Sequence, residues 1–365
     1  MKILHFCSYF EGSKVYENLF SRLSSFGVVN SIYIPVKRKC KKSLECGSFG
    51  DKYTVNCLSV FTRLFYCLKI FRIILSFPKI STFYKDTHFV HAHTLYSDGI
   101  PAFFYSRLKG IPLIITVRGT DVTLGFKYYF HYKFIARFAL GYCNKIVFIS
   151  PNHKKKFQCY FGKCYDSKLE VLPNGVDTYF IEHCVSKKIS DSTESAIYVG
   201  DINSNKNIER SIFAFFYGPR KSNSLFHVVG GTAEQYSSVY GRLPVELADK
   251  VVFHGRLEKH EIISLMSKAS VFIMNSHSET FGLVYLEAIS QCLPIVYTKG
   301  QGVDGYFTDG QFGYAAEPES LESISNAINK AINAFPNGIG PFNKNPVNDY
   351  SWGSIAIQYM ERIYK

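Results

Sequence analysis

Short apolar runs recur along this chain at intervals long enough to hold a helix between each and the next. In the first half they are Ile3–Cys7, Ser31–Val36, Phe89–His93, Leu113–Val117, Lys145–Ile149 and Leu169–Leu172, with helix-compatible stretches such as Tyr16–Ser25 and Pro101–Lys109 between them. Such runs read as strands buried on both faces, and strands that alternate with helices predict a parallel, doubly wound α/β sheet. The rhythm pauses at a polar stretch from Ser186 to Glu194, read as a linker, and restarts with Ala196–Val199, Phe226–Val229, Val251–His254, Val271–Asn275 and Pro294–Tyr297. Two α/β domains in tandem are therefore expected, over residues 1–188 and 189–345, which suits a chain of 365 residues. Residues 346–365 carry Trp352, Ile355, Tyr359 and Ile363 at helical spacing and predict a closing amphipathic helix. Open parallel sheets take ligands beyond the carboxyl ends of their strands, so the chemistry belongs on loops that follow strands, in a cleft where two sheets face.

Composition narrows the class. With 47% hydrophobic and 19% charged residues the chain has apolar surface enough for two cores, which excludes a disordered protein. The net charge of +13 is uneven: residues 1–190 hold 28 Lys+Arg against 11 Asp+Glu, and the remainder 14 against 18. The first half is thus expected to meet something anionic. Its basic runs, Lys37 to Lys42 and Lys154 to Lys156, each read singly as solvated surface loops and the aromatic run Phe126 to Tyr132 equally as a core helix; taken together with the charge they favour anionic lipid headgroups or a lipid-diphosphate acceptor. No Lys/Arg-rich recognition helix, zinc motif or RNP-like strand supports nucleic acid as the partner. The segment Cys57 to Phe77 is apolar but interrupted by Arg63, Lys69 and Arg72, which argues against a spanning helix. It leaves an amphipathic helix on a membrane surface or a helix packed on its own sheet. Ten cysteines are scattered without CxxC spacing and read as reduced and structural, with no metal site among them. The first apolar run is too short for a secretory signal, so a cytoplasmic location is expected.

The densest candidate chemistry lies between Val271 and Ile289. A buried strand leads into a polar loop and a helix expected to begin near Thr280, whose free N–H groups suit a diphosphate. Glu279 stands at the mouth of that loop, and Glu287 lies two turns on among apolar neighbours, where a carboxylate needs a partner or a polar ligand such as a pair of sugar hydroxyls. The plainer alternatives are a helix-start acid and a solvent-facing one.

Glu279 and Glu287, separated by seven residues with Phe281-Gly282 between, resemble the signature of the retaining glycosyltransferases of family 4, which have the GT-B fold. Four further segments resemble that family in the same order: Thr116 to Asp121, Pro173 to Asp177, Val199-Gly200 with Lys206-Asn207, and Val252 to Gly255. The resemblance implies two Rossmann-like domains facing a central cleft, with the C-terminal helix returning to the first domain. It further implies that Glu287 holds the ribose hydroxyls of a nucleotide, that Glu279 contacts the transferred sugar, and that amides of Thr280, Phe281, Gly282 and Leu283 meet phosphate and sugar oxygens. Lys206 would stabilise the leaving diphosphate, and Gly12, after the first strand, would approach it from the other domain. Two positions depart from the family pattern. Asp201 follows Gly200 where an arginine is common, and Arg118 stands where a histidine is common; the guanidinium of Arg118 is expected to compensate as a catalytic cation.

The implied function is transfer of a hexose or related sugar from a nucleotide-sugar, a UDP-sugar favoured, to a glycan or polyprenyl-diphosphate-linked acceptor with retention, in capsule or O-antigen biosynthesis at the inner face of the plasma membrane. The donor is a substrate, and no cofactor is expected. No Asp-x-Asp occurs, so no metal is expected either. The alternatives are a nucleotide-sugar-binding subunit without turnover, suggested by Asp201, and a nucleotide-sugar epimerase of the same fold. The donor base and sugar, the linkage formed and the oligomeric state are not legible in the sequence.

Overall fold

The computed structural model describes residues 1–36, 44–47, 49–59, 62, 65–184, 194–340, 342 and 345–365. The basic run Lys37 to Lys42, Arg63 and all of the linker stretch except Glu194 lie outside the described residues. Two units emerge: Met1–Gly175 together with Trp352–Lys365, and Val176–Ser351.

The first unit is built on strands β1 (Lys2–Phe6), β2 (Val29–Val36), β3 (Leu44–Gly47), β4 (Gly50–Asn56), β5 (Phe89–Ala92), β6 (Leu113–Val117), β7 (Lys145–Phe148) and β8 (Leu169–Val171). They lie in the order β3-β4-β2-β1-β5-β6-β7-β8, all parallel except the antiparallel edge strand β3. Side chains alternate across the pleat. Leu4, Phe6, Val90, Leu113, Ile115, Val117, Ile146 and Phe148 pack on one face with helices Tyr66–Ile74, Ile100–Lys109 and Lys133–Tyr142. Ile3, Cys7, Ile114 and Val147 face the other way, onto helix Lys14–Ser25 and the C-terminal helix Trp352–Gln358, which continues as a wider turn over Tyr359–Ile363. The C-terminal segment thus completes the core of the unit that starts at Met1.

Three buried histidines sit on that second face. His5 bonds Asn30 and His93 at 3.0 Å each, while His91 bonds Tyr364 at 2.7 Å and Thr116 at 2.8 Å. The rings bring a nitrogen each within 4.8 Å of one another, a cluster that no sequence spacing reveals because the sheet assembles it. Both nitrogens of His5 and of His91 are spent on these bonds, so the group is a hydrogen-bonded knot in the core.

The second unit holds β9 (Ser195–Val199), β10 (Leu225–Val229), β11 (Val251–Phe253), β12 (Val271–Met274), β13 (Ile295–Thr298) and β14 (Gly313–Ala316), ordered β11-β10-β9-β12-β13-β14 and all parallel. Both sheets reverse their winding once, between β1 and β5 in the first unit and between β9 and β12 in the second. Loops at such a point diverge and leave a crevice at the carboxyl ends of the strands. Three strands, β3, β4 and β14, go beyond the sequence expectation. Strand β4 is polar and lies near the sheet edge; β14 opens on Gly313, where a Cβ would come within 1.8 Å of the Ile295 carbonyl oxygen. No disulfide forms among the described residues.

Candidate active site

In the second unit the two loops at the winding reversal are stitched together. Asn205 gives its Nδ2 to the Ser278 carbonyl at 2.9 Å and takes the Ser278 N–H at 3.1 Å, while the His277 N–H bonds the Asn205 carbonyl at 2.8 Å. Asn207 adopts a left-handed conformation, φ 52°, and its side chain reaches the carbonyls of Asn275 and Pro318. This latch fixes Lys206. Its Nζ lies 2.7 Å from Glu279 Oε2, and both side chains are largely buried. The other oxygen of Glu279 accepts the Thr280 N–H at 3.1 Å, and the Glu279 carbonyl accepts the Gly302 N–H at 3.1 Å. Lys206 is therefore no solvated loop lysine, and Glu279 is more than a helix-start acid.

The helix after this loop begins at Leu283, three residues later than expected, because Gly282 takes φ 78° and turns the chain into it. A Cβ on Gly282 would come within 2.5 Å of the Tyr285 ring, and one on Gly302, at φ 53°, within 2.9 Å of the Phe281 carbonyl oxygen. Thr280, Phe281 and Gly282 thus form a tight bend against the loop after β13. The Leu283 and Val284 N–H groups lead the helix, while the Tyr285 N–H is taken by the Gly282 carbonyl at 3.0 Å. Glu287 is half-buried on helix Leu283–Ser290 and forms no ion pair among the described residues. Desolvation pushes its carboxyl up to about 7, the charge of Asp177 adding to the shift and Lys259 opposing it. Asp177 and Lys259 are themselves paired. Glu279 and Lys206 are brought together; Glu287 is set apart from them, beside the Asp177–Lys259 pair.

Glycines crowd the carboxyl ends of β9, β10 and β11. The Gly200 N–H bonds the Val229 carbonyl, the Gly230 N–H bonds the Gly255 carbonyl, and a Cβ on Gly230 would come within 2.3 Å of the Gly200 oxygen. Here Asp201, the departure noted in the sequence, meets Arg256 at 3.3 Å with both side chains exposed. Arg256 carries no signal of its own in the sequence, because its partner Asp201 lies on the loop of another strand. Gly302 and Asn205 carry none either, since their roles depend on a neighbouring loop.

In the first unit Gly12 ends a tight turn, Phe10–Gly12, after β1, its N–H on the Tyr9 carbonyl at 3.2 Å. Arg118 follows β6. Its Nε bonds the His93 carbonyl at 3.2 Å and its guanidinium lies 4.6 Å over the Tyr16 ring, while its Nη atoms make no hydrogen bond among the described residues. Two buried carboxylates brace these loops. Asp98 accepts the Ser8 N–H and the Thr94 hydroxyl at 3.0 Å each, and Asp121 accepts the N–H groups of Leu95, Tyr96 and Arg118. Burial drives the Asp121 carboxyl up to about 6 against the pull of those three donors.

Two units, each a doubly wound sheet with one winding reversal, define an α/β architecture of two Rossmann-like parts. Residues 54–180 match the model for Glycosyltransferase Family 4 and residues 182–335 that for Glycosyl transferases group 1, and the chain belongs to this family. It is 26% identical over 224 residues to the lipopolysaccharide glucosyltransferase WaaG of Escherichia coli, a match that spans 57% of this chain and 59% of that one. It is 27% identical over 270 residues to the capsular polysaccharide biosynthesis glycosyltransferase CapM of Staphylococcus aureus, covering 69% of each. Among solved structures, Anabaena HepE in complex with UDP and glucose shares the fold at a TM-score of 0.66 and 15% identity, over 99% of this chain and 98% of that one.

Proposed function

We infer that this glycosyltransferase moves a hexose from a UDP-sugar to a glycan or polyprenyl-diphosphate-linked acceptor, with retention and without a metal, in capsule or O-antigen assembly at the inner face of the plasma membrane. The observation that carries the donor reading is the Lys206–Glu279 pair, held at the winding reversal by the Asn205 latch. An ammonium fixed in place before reaction suits the negative charge that gathers on a departing diphosphate. The carboxylate, released from it when phosphate arrives, suits the sugar hydroxyls. Glu287 suits a ribose diol, and the bend of Thr280, Phe281, Gly282 and Leu283 suits phosphate and sugar oxygens through its amides.

Charge neutralisation on this reading falls to Lys206, to the leading amides of the helix and to Arg256, which stands beside Asp201 as a cation at the same strand ends. In the first unit this reading assigns an anion to Arg118, after β6, and to Gly12, in the turn after β1. With cations of the protein in these positions, no divalent ion is required of the step. The names of WaaG and CapM support the polysaccharide context, and the UDP and glucose bound by HepE support the donor.

Thermal stability with UDP, GDP, ADP and CDP and their common sugars tests this directly, because a ligand bound only by the folded state raises Tm. A rise with UDP compounds, lost in Glu287→Ala, is expected. No rise with any nucleotide would overturn the donor reading.

A further inference from the structure

Three neighbouring helices of the first unit, Tyr66–Ile74, Ile100–Lys109 and Lys133–Tyr142, lie in one layer, the middle one packed against both others. Their inner sides fill the core. Their outer sides leave large apolar groups in the open: Phe71 and Leu75 at 57% and 62% exposure, Leu108 at 69%, Phe134 and Phe138 at 69% and 54%, and Phe130 at 66% on the adjoining turn. The rings of Phe134 and Phe138 stand edge to face, 4.7 Å apart. Scattered single apolar side chains are ordinary on a surface, whereas an adjacent group of this size marks an interaction site.

Charge identifies what covers it. From Lys52 to Tyr165 the sequence has seventeen Lys and Arg against three carboxylates, Asp86, Asp98 and Asp121. Asp98 and Asp121 are buried at 2% and 3% exposure, so the described surface of this stretch bears one carboxylate, and none of the three helices carries any. Exposed Arg72, Arg107 and Arg137 interleave with the apolar groups. A second copy of the same face would set like charge against like charge, whereas an anionic bilayer offers phosphate to the cations and acyl chains to the rings. Beside the layer lies a pocket of about 390 Å³ walled by the stacked rings of Phe126 and Tyr160, with Lys155 and Lys156 at its lining. A lining that joins apolar rings to two lysines suits a phosphate on a lipid tail.

We propose that this helical layer seats the first unit on an anionic membrane surface, the rings entering the headgroup boundary and the arginines holding lipid phosphate. The proposal deepens the membrane-face part of the functional reading and rests on it, while being independent of the donor site. The whole chain is sedimented with phosphatidylcholine vesicles, with and without phosphatidylglycerol. Binding is expected only with phosphatidylglycerol and should weaken as salt rises. Reversal of Arg72, Arg107 and Arg137 to Glu should lower partitioning by more than about fivefold per site, since each removes a cation and adds an anion. Phe134→Ser with Phe138→Ser, both exposed, should lower it while leaving the Tm rise with UDP intact. Glu287→Ala should bind vesicles like the parent, so loss of donor binding and loss of membrane binding separate. Equal sedimentation with and without phosphatidylglycerol would overturn the proposal, as would vesicle binding that the Phe and Arg variants leave unchanged. Salt-sensitive retention on duplex DNA or RNA without vesicle binding would reassign the face to nucleic acid.

Discussion

The Glu287 carboxyl is raised to about 7, and in the proposed donor site two ribose hydroxyls would need a carboxylate that accepts from both. Ionisation therefore precedes donor binding, and affinity should improve as pH rises. Between pH 6 and pH 8 the ionised fraction changes by about tenfold, so Kd for UDP should fall by about that factor across this range and become flat in Glu287→Gln. Calorimetric titration at several pH values checks it; an unchanged slope in the variant would remove Glu287 from the ribose site. Lys206→Ala should behave differently, lowering kcat by about a hundredfold or more with a smaller change in donor KM, because the ammonium acts on charge that develops during reaction. Steady-state kinetics separates the two. The Lys206–Glu279 pair was half legible in the sequence. Glu279 and Lys206 each sit in a recognisable segment, but only the fold shows them 2.7 Å apart, since the Asn205 latch that joins them spans loops 73 residues distant. Arg256 was invisible for a related reason, its partner Asp201 lying on another strand's loop.

Elements that alternate between strong apolar strands and amphipathic helices were readable because each run was long enough to carry its own pattern; Leu113–Val117 has the same ends in sequence and structure. Where pairing alone defines an element, the pattern is silent. Strand β14 is Gly-Tyr-Ala-Ala, and its position depends on Gly313 passing the Ile295 carbonyl. Helix Leu283–Ser290 began late for a similar reason, the positive φ of Gly282 being a property of the bend and of no apolar period. Gly282→Ala, forced into that conformation against the Tyr285 ring, should cost about 1–3 kcal/mol of unfolding free energy and weaken the UDP-induced rise in Tm. Urea unfolding followed by ligand-induced melting measures both.

At the scale of the molecule, the three core histidines couple the first unit to pH. Burial lowers His5 to about 3 and His91 and His93 well below their ordinary value of 6.5. Folded-state values below the unfolded ones mean that the unfolded chain takes up protons first. Stability is thus whole above pH 6.5 and declines as pH falls, by about 2 kcal/mol at pH 5 for each histidine that charges only on unfolding. His93→Gln should flatten that decline in a urea series at stepped pH, and an equally steep decline would show that other groups govern it.

The segment Trp352–Lys365 belongs to the unit that starts at Met1, and its Trp352, Ile355, Tyr359 and Ile363 are buried in that unit's core. During synthesis the ribosome makes all of Val176–Ser351 before it reaches them. The usual order, in which the earlier-made domain finishes first, is therefore reversed: the later unit has every strand it needs while the earlier one still waits for its last helix. Until that helix emerges, the nascent first unit keeps an open apolar face, and this interval is when the chain most needs a chaperone.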